Sequence, residues 1–206
     1  MQAVKSKKLG LSLAILGWIG AIVSCALPMW KDSVWIRSAT EYTTIWEGIW
    51  ERCEDSTGEM QCKIQDSMTL TSDLQAARPL CIVAIVMGVL GLFFSIVGAK
   101  CTPCVKEERV KTKDMFAAGG TFICAAILLL IPLCWAAYNT MKNKNIKDIS
   151  PDIIEFRNQI GTSLYLGWVS TALLLGGGCI LCRTRIPDKV IEVVVETGKE
   201  LLSQDN

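Results

Sequence analysis

Four long apolar runs without a charged side chain constrain this chain more than any other feature of its sequence. A bilayer core about 30 Å thick needs roughly 20 apolar residues in a helix, and a charge at the helix centre costs about 2.5 to 3.5 kcal/mol. Because 20% of the 206 residues are charged, such runs are not expected by chance. They predict four transmembrane helices, at residues 9–29, 79–99, 115–137 and 160–182.

The charges between the runs predict the topology. Four spans place both chain ends on one side of the membrane, and Lys7, Lys8 and Arg109 put that side in the cytosol by the positive-inside rule. The second outer segment fits the rule less well, because it contains Lys144 and Lys147. The cytosolic segments are then 1–8, 100–114 and 183–206, and the extracellular segments are 30–78 and 138–159.

The first outer segment is rich in strand-forming residues. Residues 34–36 and 42–46 are β-branched or aromatic in the main and predict a small sheet. Residues 70–77 have helical spacing and predict a short helix, capped by Thr71 or Ser72. The predicted fold class is therefore membrane α-helical, a four-helix transmembrane bundle with a small extracellular antiparallel β-sheet.

Two of the ten cysteines lie in the outer segments. The cell surface is oxidising, so a disulfide between Cys53 and Cys62 is expected, with two free surface thiols as the lesser alternative. Closing a loop of about ten residues is worth on the order of 2 to 3 kcal/mol in the chain-entropy model. The cysteines inside the four runs, Cys25 and Cys81 among them, are interpreted as small hydrophobic residues.

Cys101, Cys104 and Cys182 lie just inside the membrane on the cytosolic side, where S-acylation is common. They are candidate palmitoylation sites, with unmodified juxtamembrane cysteines as the alternative. A metal site is disfavoured, because the chain has no histidine and Cys101 and Cys104 lack a second pair of ligands.

A set of residues in the first outer segment has a spacing that resembles the claudin loop signature. Trp30 begins the segment, and as amphipathic rings Trp30 and Trp50 are expected at the membrane interface. With the four spans around it, the resemblance extends over residues 1 to 185. The signature residues are Trp30, Gly48, Trp50, Cys53, Cys62 and Arg78.

The resemblance implies a structural protein of tight junctions in the plasma membrane. Claudins polymerise with themselves or with other claudins, within one membrane and between two, and their sheets form a paracellular barrier or a charge-selective paracellular ion channel. The alternative is a non-junctional member of the same superfamily, such as a peripheral-myelin-like protein or an ion-channel auxiliary subunit. Besides other claudins, the bilayer is the only implied partner.

Lys63 follows the second signature cysteine, at a position similar to the charge-selecting site of the family, where a lysine would favour anions. Acidic residues, Asp66 included, outnumber basic ones in the same segment. The sequence therefore does not decide between a barrier and a channel, or between selectivity for cations and for anions. Met68 resembles the residue that one claudin inserts into an aromatic pocket of its neighbour. The usual aromatic pair of that pocket is absent from residues 144–151, and the spacing of Phe156 does not replace it.

The same difference in the second outer segment leaves binding of a clostridial enterotoxin open. The C-terminal residues 203–206 lack the Tyr-Val that PDZ scaffold domains capture in many claudins, so scaffold docking is not expected. A net charge of +1 gives no reason to expect nucleic acid. An enzyme or a cofactor is not expected either, because there is no histidine, no acid pair within a span and no phosphate loop.

Overall fold

The computed structural model describes residues 2–36, 42–56, 58–66, 70–100, 108–142 and 155–183. These residues form four helices and five strands. In chain order they are α1 (Gln2–Ala26), β1 (Lys31–Ile36), β2 (Tyr42–Glu47), β3 (Glu51–Ser56), β4 (Glu59–Ile64), α2 (Ser72–Lys100), α3 (Glu108–Lys142), β5 (Glu155–Ile160) and α4 (Thr162–Arg183).

All four helices are long and apolar enough to cross a membrane, which confirms the predicted fold class. Their bounds differ from the predicted runs. The helix α1 ends at Ala26, before Pro28, and α3 continues to Lys142. The predicted short helix is not separate, because α2 runs without a break from Ser72 through Pro79 into the second span. One helix therefore connects the first outer segment to the membrane.

Glycines bring α1 and α4 close together. A Cβ on Gly17 would lie 2.8 Å from the Ser170 carbonyl oxygen, and one on Gly177 would lie 2.7 Å from the backbone nitrogen of Ala14. Lipid supplies no hydrophobic drive between helices, so close backbone contact of this kind is what holds such helices together. The helix α3 makes the other large contacts of the bundle, one with α2 and one with α4.

The sheet lies at one end of the bundle, in the antiparallel order β4-β3-β2-β1-β5. The strand β5 comes from the second outer segment, where the sequence predicted only a loop, and it pairs with β1 from Lys31 opposite Ile160 to Ile36 opposite Glu155. Backbone bonds from Gly161 to the Trp30 carbonyl and from Ser163 to the Met29 carbonyl join this edge to α4. Both outer segments thus contribute to one sheet.

Candidate functional site: the charged face of the sheet and its anchors

Trp30 is the pivot between the helices and the sheet. Its ring is completely buried, and its Nε1 donates a hydrogen bond of 2.9 Å to the Ser24 carbonyl. Its backbone nitrogen donates to the Glu47 carbonyl at 3.0 Å. The Trp30 ring therefore faces the protein core and not lipid, because the sheet and the helix ends enclose it.

Gly48 lets the strand connection approach the end of α1. A side chain there would overlap the Cα of Pro28, and the residue is buried. The contact explains why the signature has glycine at this position, since any Cβ would push β2 away from the bundle. Next to it, Ile49 is completely buried in the core.

Arg78 holds the other end of the first outer segment. Its Nε donates to the Ile49 carbonyl at 2.8 Å, and one of its terminal nitrogens donates to the Gln65 carbonyl at 2.7 Å. Its guanidinium carbon lies 5.5 Å from the centre of the Trp50 ring, within the range of a cation–π contact. The planar guanidinium contacts two carbonyl groups and an aromatic ring at once. It therefore attaches both the turn after β2 and the end of β4 to α2.

A buried ion pair, which the sequence analysis missed, attaches β1 to the start of α2. The Lys31 Nζ lies 2.7 Å from an Asp73 carboxylate oxygen, and the two side chains are 9% and 4% exposed. The same Nζ donates to the Thr71 hydroxyl at 3.0 Å. Asp73 also lies in the first turn of α2, where the helix dipole favours a negative charge. The sequence offered no signal for this pair, because its partners are 42 positions apart in the chain.

The disulfide joins Cys53 of β3 to Cys62 of β4, two residues that lie directly opposite each other with a Cα separation of 4.0 Å. It is the covalent brace of the outer hairpin, which turns at Gly58 with a φ of 89°. All of β4 is exposed, so these two strands have little apolar core of their own. The brace therefore replaces packing at the free edge of the sheet.

A charged groove of about 410 Å³ crosses one face of this hairpin. Side chains two apart on a strand share a face, so the register places the groove residues together. Arg52 lies opposite Lys63, Glu54 opposite Gln61 and Ser56 opposite Glu59. We call these six residues, Arg52, Glu54, Ser56, Glu59, Gln61 and Lys63, the charged groove.

The charges of the groove balance each other. Arg52 and Lys63 form its basic end, and Glu54 and Glu59 form its acidic end, next to the turn. Glu47 of β2 makes an ion pair with Arg52 at 3.3 Å, whereas Lys63 makes no ion pair with a residue that the structure describes. Of the six residues of the charged groove, only Lys63 was predicted from the sequence as a pore charge. The disulfide could have revealed the others, because a directly opposed cysteine pair fixes the register of its neighbours.

Asp32 of β1 carries the one clear pKa shift among the carboxyl groups that the structure describes. It lies between Trp46 of β2 and Gln159 of β5 in the register. Burial raises the pKa of its carboxyl group above the usual range, because the charged form loses hydration. Asp32 lies on the opposite face of the sheet from the charged groove. The register aligns its neighbour Lys31 with Arg52 and Lys63 across the sheet, and successive residues of a strand point to opposite faces.

A second depression, which we call the lateral groove, lies where α3 ends, β5 runs and α4 begins. Its volume is about 230 Å³, and Met141 and Tyr165 are exposed at its mouth. Phe156 lies on β5 opposite Trp35, but its side chain is outside the described residues. The lining consists of Thr140, Met141, Arg157, Asn158, Gln159, Ile160 and Tyr165.

The remaining predicted site residues divide into described and undescribed ones. Asp66 is exposed just after β4, and Cys182 is half-buried near the end of α4, where its thiol donates to the Phe116 carbonyl at 3.9 Å. Met68, Cys101 and Cys104 lie outside the described residues. No group of three or more potential metal ligands occurs among the residues with described positions.

Comparison with known proteins agrees with this architecture. The family model described as PMP-22/EMP/MP20/Claudin matches residues 5–181. Claudin-4 of Canis lupus familiaris is 44% identical over 186 residues, which covers 88% of this chain and 87% of that protein. Claudin-3 of Homo sapiens is 46% identical over 176 residues, covering 84% of this chain and 79% of that protein. The claudin-like protein ZF-A89 of Danio rerio is 43% identical over 188 residues, 88% of each chain.

The matched region contains the whole sheet, every anchor described above, α2, α3, and all but the outermost residues of α1 and α4. A match over this much of the chain, together with relatives above 40% identity, is far more than a shared loop motif could produce. The chain belongs to the PMP-22/EMP/MP20/Claudin family, and the relatives that it resembles at this level are claudins.

Proposed function

We propose that this protein is a structural protein of tight junctions, which polymerises in the plasma membrane and meets the polymers of the neighbouring cell. Its sheet would then form the wall of a paracellular barrier or channel. The observation that carries the proposal is the close relationship to claudins over the region that includes the sheet. The relationship favours the junctional role over that of a channel subunit or myelin-like protein.

The topology required by this role has both termini in the cytosol and the sheet outside the cell. Lys7 and Lys8 lie near the start of α1, and Arg183 ends α4, at the end of the bundle away from the sheet. Gly10 of α1 packs against Ile180 of α4, so these charges belong to the same end. Basic residues on one side and a disulfide on the other support this orientation.

The balance of charge in the charged groove supports a barrier more than a strongly selective channel. Opposite charges on adjacent positions of two paired strands lie within about one Debye length, roughly 8 Å at physiological salt, and screen each other for a passing ion. Lys63 of β4 and Glu54 of β3, which are diagonal neighbours across the two strands, are then opposing determinants. Removal of the charge on either residue should reveal the ion selectivity that the other charge favours.

The lateral groove supports a route to polymerisation within one membrane. We infer that Met68 of one molecule enters the lateral groove of the next, where Met141, Ile160 and Tyr165 offer apolar surface. Methionine adapts to irregular apolar gaps, so the absence of an aromatic pair from residues 144–151 does not remove the contact. Palmitoylation of Cys101, Cys104 and Cys182 would hold the cytosolic end at the membrane surface.

The test is expression in fibroblasts that lack junctions, followed by freeze-fracture imaging of cell contacts. Continuous strands are expected for the natural sequence, and short or absent strands for Met68→Asp. The matched control is Met60→Asp, because Met60 is also an exposed methionine, on β4 and far from the lateral groove. Diffuse surface protein without strands would contradict the junctional role, and equal strands for both variants would contradict the inferred contact.

A further inference from the structure

Two buried thiols at the sheet end of the bundle take no part in the charged groove or its anchors. Cys25 of α1 is 3% exposed, and Cys81 of α2 is completely buried. Both belong to the same cluster of buried apolar residues, in which their side chains are neighbours. Cys25 is one residue from the end of α1, and Cys81 lies one helical turn beyond Arg78, so both are close to the sheet.

An independent contact fixes the register that brings these cysteines together. Trp18 Nε1 donates to the Ile85 carbonyl at 3.2 Å, and the Trp18 ring packs against Gly88. Cys25 lies two helical turns beyond Trp18 along α1. Cys81 lies two turns before Gly88 along α2, which runs antiparallel to α1. Two turns advance both helices by about 11 Å towards the sheet. The seam that begins at Trp18 therefore ends at the two thiols.

We propose that Cys25 and Cys81 form a second disulfide in the cell, which staples α1 to α2. The proposal rests on the proposed topology, because it needs this end of the bundle to mature in the oxidising secretory compartment. The contact between α1 and α2 is the weakest of the four contacts between neighbouring helices. A covalent link would hold the bundle where packing holds it least, and would enclose β1 to β4 in one loop.

The oxidant is a protein disulfide of the thiol-disulfide oxidoreductase class. One cysteine thiolate attacks that disulfide and forms a mixed disulfide, which releases the first oxidoreductase sulfur as a thiolate. The second cysteine thiolate then attacks the mixed disulfide, so that the Cys25–Cys81 bond forms and the second oxidoreductase sulfur leaves. Two protons and two electrons leave the cysteines, and the oxidoreductase becomes a dithiol. Burial of both sulfurs places these steps before α1 and α2 pack together.

The experiment maps thiols in the full chain expressed in mammalian cells. Cells are quenched in acid, dissolved in SDS with N-ethylmaleimide, reduced, and labelled again with a heavy-isotope maleimide before peptide mass spectrometry. Cys25 and Cys81 should carry only the heavy label, as Cys53 and Cys62 do. Cys134, which is exposed on α3, should carry the light label. In Cys25→Ser, Cys81 should change from heavy to light, whereas Cys134→Ser should leave it heavy.

The outcomes separate this inference from the proposed function. Light label on Cys25 and Cys81 with heavy label on Cys53 and Cys62 overturns the staple and leaves the topology in place. Light label on all four overturns the topology, and with it the basis of the proposed function. The measurement on the natural sequence needs no variant to fold, so poor expression of Cys25→Ser does not affect the result.

Discussion

Removal of Lys31 should reveal how strongly the sheet is attached to the bundle. Lys31→Met keeps the length of the side chain but leaves the Asp73 carboxylate buried with no cation beside it. The side chains are 9% and 4% exposed and 2.7 Å apart, so water cannot replace the lost partner. Breaking a pair of this kind from one side costs about 3 to 5 kcal/mol, against at most about 1 kcal/mol for an exposed pair. We expect the lower half of the larger range, because the first turn of α2 stabilises Asp73 in part.

The assay is the free energy of unfolding in mixed micelles, followed by tryptophan fluorescence, for the natural sequence, both single variants and the double variant. Lys31→Met and Asp73→Leu should each destabilise the protein strongly. The double variant should recover most of the loss, because two apolar side chains can replace a buried ion pair at little cost. The matched control is Arg52→Met, which breaks the exposed pair with Glu47. A loss of stability for Lys31→Met no larger than that for Arg52→Met would refute the reasoning.

Three further predictions concern the anchors and the charged groove. Gly48→Ala should destabilise the protein by about 1 to 3 kcal/mol, because its methyl group would overlap Pro28, whereas Gly176→Ala, with open space around it, should not lower the unfolding temperature. Arg78→Lys should weaken the protein nearly as much as Arg78→Ala, since an ammonium cannot reproduce the planar fork that bonds two carbonyls; equal stability of Arg78→Lys and the natural sequence would contradict this. In dilution-potential measurements on epithelial monolayers, Lys63→Glu should shift permeability towards cations by at least about twofold, because one charge about 8 Å from an ion is worth about 0.5 to 2 kcal/mol; an unchanged potential would remove Lys63 from the wall of the pathway.

The parts of the molecule that depend on composition and local pattern could be predicted from the sequence. Charge-free apolar runs have only one stable state in a bilayer, a helix, and so the four spans follow from the residues alone. The strand-forming residues before Cys53 and the cysteine pair itself predicted a braced sheet, which the structure confirms. Lys63 was identified because it is next to a signature cysteine.

The parts that depend on pairing between distant segments needed the tertiary structure. The strand β5 is mostly polar and has few strand-forming residues, and it becomes a strand because β1 offers it an edge. Lys31 and Asp73 have no local pattern that joins them, and the burial of Trp30 depends on the sheet that closes over it. Whether a side chain near the membrane faces lipid or core is decided by what packs on it. The sequence therefore determined the spans and the brace, and the fold decided which charges are buried anchors and which face the groove.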